Sequence, residues 1–183
     1  MSDYRAPVKD MRFVMDEIVG LNEIAQLPGY EEATPDMADA ILDEAAKFTG
    51  GVLAPLNRIG DQQGCKLGAD GVTTADGWKD AYKAFCDAGW NGLAMPVDFG
   101  GQGLPETFGI AVKEMTASAN MAFSLCPMLT GGSILAMLTC ASDELKAVYL
   151  EKMITGEWTG TMDLTEPQAG SDWALIRSRA EPQ

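Results

Sequence analysis

TGTMDLTEPQAGSD, at residues 159–172, is the most informative stretch of this sequence. Its first part, through Thr165, is mainly β-branched and apolar, which predicts a short strand. Pro167 has no amide hydrogen and Gly170 frees the backbone, so we expect the strand to end in a tight loop. Such a loop gathers backbone amides with the hydroxyls of Thr165 and Ser171, and clustered amides can bind phosphate oxygens. By composition alone, an ordinary Pro-Gly loop is the commoner structure for such a stretch.

A second glycine-rich stretch is MPVDFGGQGL, at residues 95–104. It lacks both the GxxxxGK[ST] pattern and the GxGxxG pattern of nucleotide-binding loops. Its residues alone therefore favour a tight connection between two helices over a phosphate site.

Together, these stretches resemble the acyl-CoA dehydrogenase family. LTEPxAGSD at 164–172 is similar to the family's flavin-binding signature, and residues 95–104 are similar to its Pro-x-x-Phe/Tyr-Gly-Gly-x-Gly loop. APLNR at 54–58 and YRAP at 4–7 resemble a bacterial branch with an N-terminal extension, which includes the 3-methylmercaptopropionyl-CoA dehydrogenases. The resemblance covers essentially the whole chain and keeps its order.

The composition limits the possible partners. The chain has 183 residues, of which 46% are hydrophobic, so it can bury a packed core. It carries 13 basic and 27 acidic side chains, a net charge of −14. This acidity argues against nucleic acid and anionic membranes as partners. No apolar run approaches the ~20 residues of a membrane span, so none is expected.

The absence of histidine excludes several kinds of site. No Ser-His or Cys-His nucleophile system and no His-ligated metal site can be formed, and we expect no metal. The four cysteines, Cys65, Cys86, Cys126 and Cys140, contain no CxxC pair. We expect them to be buried free thiols in a reducing compartment. The N-terminus is polar rather than a signal peptide, so we expect a cytoplasmic protein.

Apolar periodicity and capping residues predict helices and the residues that line their inner faces. The predicted helices cover about 10–19, 35–48 with a continuation toward 59, 76–86, 105–115, 121–139 and 143–153. The predicted inner faces are Met11, Val14, Met15 and Ile18; Met37, Ile41, Ala45 and Phe48; Phe108, Ala111, Val112 and Met115; and Leu145, Val148, Tyr149 and Met153. Thr34 and Ser142 should cap their helices. Residues 60–74 are expected to be a loop with a turn at 69–71.

The helix at 121–139 is apolar on nearly all sides. It is therefore predicted to be the central buried helix, with a kink or interruption at Pro127 and at 131–132.

We accordingly predict a mainly α fold: the N-terminal α-helical bundle domain of an acyl-CoA dehydrogenase, plus the first strand of a following β-domain. The predicted boundaries are an N-terminal extension at 1–34, the helical domain at 35–156 and the start of the β-domain at 157–183. In the family a C-terminal four-helix domain follows, and we expect it to be absent here.

The resemblance implies FAD as the cofactor. Met162 and Leu164 are expected to contact the flavin mainly through backbone groups, and Thr165 through its backbone and hydroxyl. Gly170 would permit close approach. Ser171 would lie near both the FAD pyrophosphate and the bound acyl-CoA.

The acyl tail is expected to lie against Ser124, Leu125 and Met128. Gln168 stands where many family members have glycine, so the tip of the loop is expected to differ. Glu166 is expected to order its own loop. The family's catalytic base is a glutamate in the C-terminal domain, so no catalytic residue is assigned within this chain.

The implied reaction is the α,β-dehydrogenation of an acyl-CoA thioester to 2-enoyl-CoA. Electron-transfer flavoprotein is the expected acceptor, and the full-length protein is expected to be a homodimer or homotetramer. Two alternatives stay open: a flavin acyl-CoA oxidase of the same fold, and a non-catalytic helical assembly module. The residues do not determine the length of the acyl chain.

Overall fold

Helices make up most of the computed structural model, which describes residues 4–181. The α-helices, in chain order, are α1 (Val8–Phe13), α2 (Leu21–Ile24), α3 (Pro35–Phe48), α4 (Ala54–Gln63), α5 (Trp78–Asp87), α6 (Glu106–Ala119), α7 (Met121–Cys140) and α8 (Asp143–Ile154). The mainly α fold predicted from the sequence is confirmed.

The caps of two helices match their sequence signals. The Thr34 hydroxyl oxygen accepts a hydrogen bond from the Met37 amide at 3.2 Å, and Pro35 is the first residue of α3. Ser142 likewise accepts a hydrogen bond from the Leu145 amide at the start of α8. Both caps satisfy amides that have no partner within the helix.

Two π-helical turns extend the N-terminal helices. Val14–Val19 continues α1 directly, and Thr49–Leu53 joins α3 to α4 without a break. The double glycine at 50–51 therefore lies within a continuous helical segment. In the first turn Met15 is buried, but Val14 and Ile18 are exposed, so half of the predicted inner face is wrong. The wider π-helical turn changes the spacing on which that prediction relied.

Residues 60–74 differ from the predicted loop. Helix α4 continues to Gln63, and an exposed antiparallel hairpin follows, with β1 (Lys66–Gly68) paired to β2 (Gly71–Thr73). The predicted turn is present at 69–70. The Gln63 side chain closes the base of this hairpin by accepting a hydrogen bond from the Asp76 amide at 2.9 Å.

The largest buried cluster joins the N-terminal helices to α3 and α6. Its members are Met11, Met15, Leu21, Ala33, Ala38, Ile41, Leu42, Ala45, Leu93, Phe108, Ala111, Val112 and Met115. The predicted inner face of α6 is therefore confirmed. Arg12 adds a polar link, because its Nε lies 2.8 Å from Asp39 on α3. The N-terminal helices thus pack against α3 and α6.

A second cluster joins α4, α5 and α7. The rings of Phe85 and Phe123 meet edge to face with centroids 5.6 Å apart, and Leu53 is buried in the same cluster. Asn120, which is also buried, accepts a hydrogen bond from the Phe123 amide at 3.0 Å and donates one to the Leu53 carbonyl at 3.2 Å. It thereby caps α7 and ties this helix to the π-helical turn before α4.

The stretch at 95–104 is a tight connection closed by its own backbone. Gly103 donates to the Met95 carbonyl, and Gln102 donates to the Gly92 carbonyl, each at 2.9 Å. A side chain at Gly101 would overlap the Met95 carbonyl. The glycine there is required for close packing, in agreement with the interpretation of this stretch as a connection.

Helix α7 differs from its prediction in two ways. It is continuous through Pro127 and residues 131–132, and it is largely exposed in the described part of the chain. Its buried residues are Phe123, Ser124, Thr130 and Ile134, whereas Met121, Leu125, Met128 and Leu135 are exposed. The prediction of a central buried helix is wrong for residues 4–181, because α7 is covered on one side only.

Helix α7 also corrects the expectation that no membrane-span candidate exists. By length and composition alone, Met121–Cys140 is long and apolar enough to cross a membrane. Core helices of soluble proteins pass the same test, so this signal is weak.

The inner face of α8 was predicted incorrectly except at Met153. The buried residues are Leu150, Met153 and Ile154, whereas Leu145, Val148 and Tyr149 are exposed. Apolar residues occur around the whole helix, so spacing alone does not select the buried side. Tyr149 packs its ring on Trp158 instead, with centroids 5.7 Å apart.

The segment 159–165 does not form the predicted strand. Within the described residues it has no regular secondary structure and no neighbouring strand, and all of it except the half-buried Gly160 is exposed. A strand requires a partner to satisfy its backbone.

We expect Phe108→Ala to lower the free energy of unfolding by about 3–5 kcal/mol, because this fully buried ring leaves a cavity in the largest cluster. Ile110→Ala, on the same helix but 57% exposed, should change it by less than about 1 kcal/mol. Urea unfolding followed by circular dichroism measures both. Equal losses in the two variants would show that this cluster does not hold the helices together.

Candidate functional site

The signature stretch folds as a closed turn. Glu166 and Ala169 exchange both backbone hydrogen bonds at 3.0 Å, with Pro167 and Gln168 between them. Gln168 does not adopt a positive φ angle, so this turn does not require glycine there. Closure places the flanking residues, Thr165 among them, on one side of the turn.

The Glu166 carboxylate orders the rest of the loop. It accepts hydrogen bonds from the amides of Arg177 at 3.0 Å and Ser178 at 2.9 Å, and from the side chain of Gln168. A hydrogen bond from the Ser178 side chain contributes most to lowering the pKa of Glu166 to about 2, followed by the backbone amides of Arg177 and Ser178, because all of them stabilise the ionised form. The prediction that Glu166 orders its own loop is confirmed.

Further contacts hold the returning chain. Asp172 accepts a hydrogen bond from the Ala174 amide at 3.1 Å and so caps the short 3-10 turn Trp173–Leu175. Gln168 donates to the Leu175 carbonyl at 3.3 Å. The loop therefore has a defined shape without help from a sheet.

The residues predicted to bind the cofactor all lie on the exposed side of this loop. They are Met162, Leu164, Thr165, Gly170 and Ser171. Met162 is 61% exposed, and a side chain at Gly170 would meet no atom within 4 Å. Neither the Thr165 nor the Ser171 hydroxyl bonds to another described residue. The loop thus offers free donors and apolar surface together, as an anion and a flat ring require.

The residues predicted to contact the acyl tail differ in exposure and in hydrogen bonding. Ser124 is buried, and its hydroxyl donates to the Met121 carbonyl of its own helix at 2.7 Å. Leu125 is 45% exposed and Met128 is 56% exposed, on the uncovered side of α7. The two apolar residues are accessible to a ligand, whereas the Ser124 hydroxyl is already bonded.

A groove with a volume of about 790 Å³ lies between α5, α7 and the chain leaving α8. Its lining residues include Trp78, Tyr82, Cys86, Phe123, Cys126 and Thr159. This groove was not predicted from the sequence. The spacing of the aromatic residues on one face of α5 was the available signal, but it does not distinguish a core face from a groove.

Three polar side chains of this groove, those of Tyr82, Cys86 and Cys126, are weak acids. The Tyr82 hydroxyl donates to the Gly156 carbonyl at 3.3 Å, and burial raises its pKa. Desolvation of the sulfur atoms also raises the pKa of Cys86 and of Cys126, although Cys126 as a whole residue is exposed. Neutral thiols are poor nucleophiles, so this groove is suited to binding rather than to covalent chemistry.

All four cysteines are free thiols. The expectation that they are buried is wrong for the described structure, because Cys65, Cys126 and Cys140 are exposed and Cys86 is half-buried.

Comparison with known proteins gives the family and its extent. Residues 35–157 match the family model "Acyl-CoA dehydrogenase, N-terminal domain". The chain is 46% identical over 180 residues to 3-methylmercaptopropionyl-CoA dehydrogenase of Ruegeria pomeroyi, covering 98% of this chain and 31% of that protein. It is 33% identical over 184 residues to a butyryl-CoA dehydrogenase of Syntrophomonas wolfei subsp. wolfei, covering 98% of this chain and 30% of that protein. The chain therefore spans about a third of the length of these relatives.

A solved structure shows the same fold. It is described as the electron transferring flavoprotein of Acidaminococcus fermentans, with a mechanism of flavin-based electron bifurcation. The match has a TM-score of 0.62 at 23% identity and covers 78% of this chain and 34% of that chain. The family model covers most of the chain, and the relatives from Ruegeria and Syntrophomonas agree with it. The chain belongs to the acyl-CoA dehydrogenase family.

Proposed function

We propose that this chain forms the N-terminal part of an FAD-dependent acyl-CoA dehydrogenase, which converts acyl-CoA thioesters to 2-enoyl-CoA. The observation that carries the proposal is the shape of the signature loop. Its exposed donors and apolar side chains lie on a turn that Glu166 holds in place. A site that is ordered before the ligand arrives loses less entropy on binding.

In this proposal, residues of the loop bind and orient FAD, which supplies the two-electron acceptor when bound. Thr165 would donate to the edge of the flavin ring, with Met162 and Leu164 beside it. Gly170 would allow the backbone close to the cofactor. Ser171 would lie near the pyrophosphate and the acyl-CoA. The open space next to Gly170 and the uncommitted hydroxyls fit this group.

Glu166 is not the proton acceptor in this proposal. Its carboxylate is occupied by backbone amides, and a pKa of about 2 makes it a very weak base. We therefore keep the assignment of the base to a glutamate in the part of the family fold that lies C-terminal to these residues.

The exposed face of α7 is the proposed wall for the acyl tail. Leu125 and Met128 offer apolar surface there, and Ser124 would act only through its backbone, because its hydroxyl is bonded to Met121. The relative that is 46% identical is named for 3-methylmercaptopropionyl-CoA, so this thioester is the first substrate to test. Electron-transfer flavoprotein as acceptor and a homodimeric or homotetrameric state stay parts of the proposal.

The purified full-length protein should be yellow, bind FAD and reduce an artificial electron-acceptor dye when given an acyl-CoA. A panel that contains 3-methylmercaptopropionyl-CoA and straight-chain acyl-CoA thioesters would identify the substrate by kcat/KM. Peroxide formed in proportion to substrate would favour the oxidase instead. A colourless protein with no FAD affinity and no dye reduction would overturn the flavoenzyme proposal and favour a helical assembly module.

Thr165→Val should weaken FAD binding by about five- to tenfold, because it removes one hydrogen bond of about 1 kcal/mol with little change in size. Thr161→Val is the matched control, since the Thr161 hydroxyl donates to Asp163 rather than to the open side of the loop. Fluorescence titration of FAD into the apoprotein measures both dissociation constants. Equal affinities in the two variants would contradict the role of Thr165.

Glu166→Gln should increase hydrogen exchange at the Arg177 and Ser178 amides, because the neutral amide accepts more weakly than the carboxylate. In the wild type, protection of these two amides should depend on whether the Glu166 carboxylate is ionised. Its pKa is lowered from 4.5 to about 2, so the stabilisation is full above pH 4.5 and is lost as the pH falls toward 2.

Exchange measured by nuclear magnetic resonance between pH 2 and pH 7 would test both statements. Glu157→Gln makes the same charge change at an exposed residue and should leave these two amides protected. A wild-type loop that loosens already between pH 7 and pH 5 would contradict the assignment.

A further inference from the structure

The chain crosses α7 where it leaves the helical part of the structure. The Gly160 amide donates to the hydroxyl oxygen of Thr130 at 3.1 Å. Thr130 lies in the middle of α7 and is fully buried. This hydrogen bond links residues 30 positions apart, immediately before the signature loop begins.

Thr130 uses both capacities of its hydroxyl. It donates to the Cys126 carbonyl at 2.9 Å while it accepts from Gly160. The bond to its own helix fixes the direction of the lone pair that receives the Gly160 amide. The Gly160 amide is partly buried and would lose a hydrogen bond without this partner, so one side chain defines the crossing point.

Gly160 fits the crossing because it has no side chain. A Cβ atom there would lie 2.6 Å from Cβ of Ser133 and 3.2 Å from Cε of Met153. The Ser133 Cβ is attached directly to the α7 backbone and cannot move aside. The backbone at Gly160 therefore packs directly against α7, in contact with Thr130 and Ser133.

The segment 161–165 thus has an anchor at each end. Gly160 is held by Thr130 at the start, and Glu166 is held by the amides of Arg177 and Ser178 at the end. The segment 161–165 lies between these anchors and carries three of the predicted cofactor contacts. With both ends fixed, few conformations remain for it to lose on binding.

We propose that Thr130 is a positioning residue for the flavin-binding loop. By holding Gly160, it determines where segment 161–165 lies relative to α7 and in which direction it runs. This inference rests on the proposed function, because it assigns the positioned segment to FAD. Thr130 itself is buried beneath the crossing. It acts through the Gly160 amide alone.

The test uses the full-length protein with Thr130→Val, Thr130→Ser and Thr139→Val. Valine keeps the size of Thr130 and removes the acceptor, whereas serine keeps the hydroxyl. Thr139 is the matched control, because its hydroxyl also donates to the carbonyl four residues earlier on α7 but lies exposed.

Hydrogen exchange at Gly160 is the first measurement. Thr130→Val should accelerate it about five- to tenfold, as expected for a lost hydrogen bond of about 1 kcal/mol. Thr130→Ser and Thr139→Val should stay within about twofold of the wild type. Unchanged exchange in Thr130→Val would overturn the inference whether or not the protein binds FAD.

FAD affinity is the second measurement. Its dissociation constant should rise about fivefold in Thr130→Val, recover in Thr130→Ser and stay unchanged in Thr139→Val. Faster exchange with wild-type affinity would overturn the positioning role. A wild-type protein that binds no FAD would overturn the proposed function. The exchange data would still test whether Thr130 holds Gly160.

Gly160→Ala provides an independent variant that leaves α7 intact. The added methyl group overlaps Ser133, so it should displace the segment and weaken FAD binding at least as much as Thr130→Val. Wild-type affinity in Gly160→Ala would count against the inference.

Discussion

The carboxamide of Asn120 fixes the position of α7, and most of the functional features depend on that position. One hydrogen bond caps α7 through the Phe123 amide, and the other reaches the Leu53 carbonyl. Both contacts are buried, so losing the side chain would leave the Phe123 amide without a partner and remove the link to Leu53. Helix α7 in turn supports the groove, the crossing chain and the exposed apolar face.

Helix α7 is apolar on several faces because different parts of the structure lie against different faces of it. It packs against α6, α8 and α4, its Phe123 contacts the Phe85 ring of α5, the chain at Gly160 crosses it at Thr130, and its remaining face is open in residues 4–181. Such an exposed face is typical of a surface that another segment or ligand covers. The family relatives are about three times as long as this chain, which supports the proposal that their further parts contribute to the site.

Sequence reasoning succeeded where the determining contacts are local. The caps at Thr34 and Ser142 depend on residues three positions away, and the role of Glu166 was suggested by its place within a turn. It failed where distant segments decide. The strand at 159–165 needs a neighbour that the described residues do not supply, and the buried side of α8 depends on which helix packs against it.

In the candidate site, too, the features set by local sequence could be predicted and those set by distant segments could not. The residues of the signature loop could be named from the sequence, because a long motif fixes their order. Thr130 could not be identified in this way, because its partner lies 30 residues further along the chain. The groove beside Tyr82 was missed for the same reason: it exists only once α5 meets α7 and the chain that follows α8.

The π-helical turn at Thr49–Leu53 affects how this protein is aligned with others. A turn of this kind holds one more residue than an α-helical turn, so it behaves as a single-residue insertion inside a helix. Removing that residue would rotate everything downstream by about 100° around the axis, given 3.6 residues per turn. Leu53 and Leu56 would then leave the cluster that they share with Phe85. An alignment of this region therefore needs a one-residue gap wherever a relative has an unbroken α-helix.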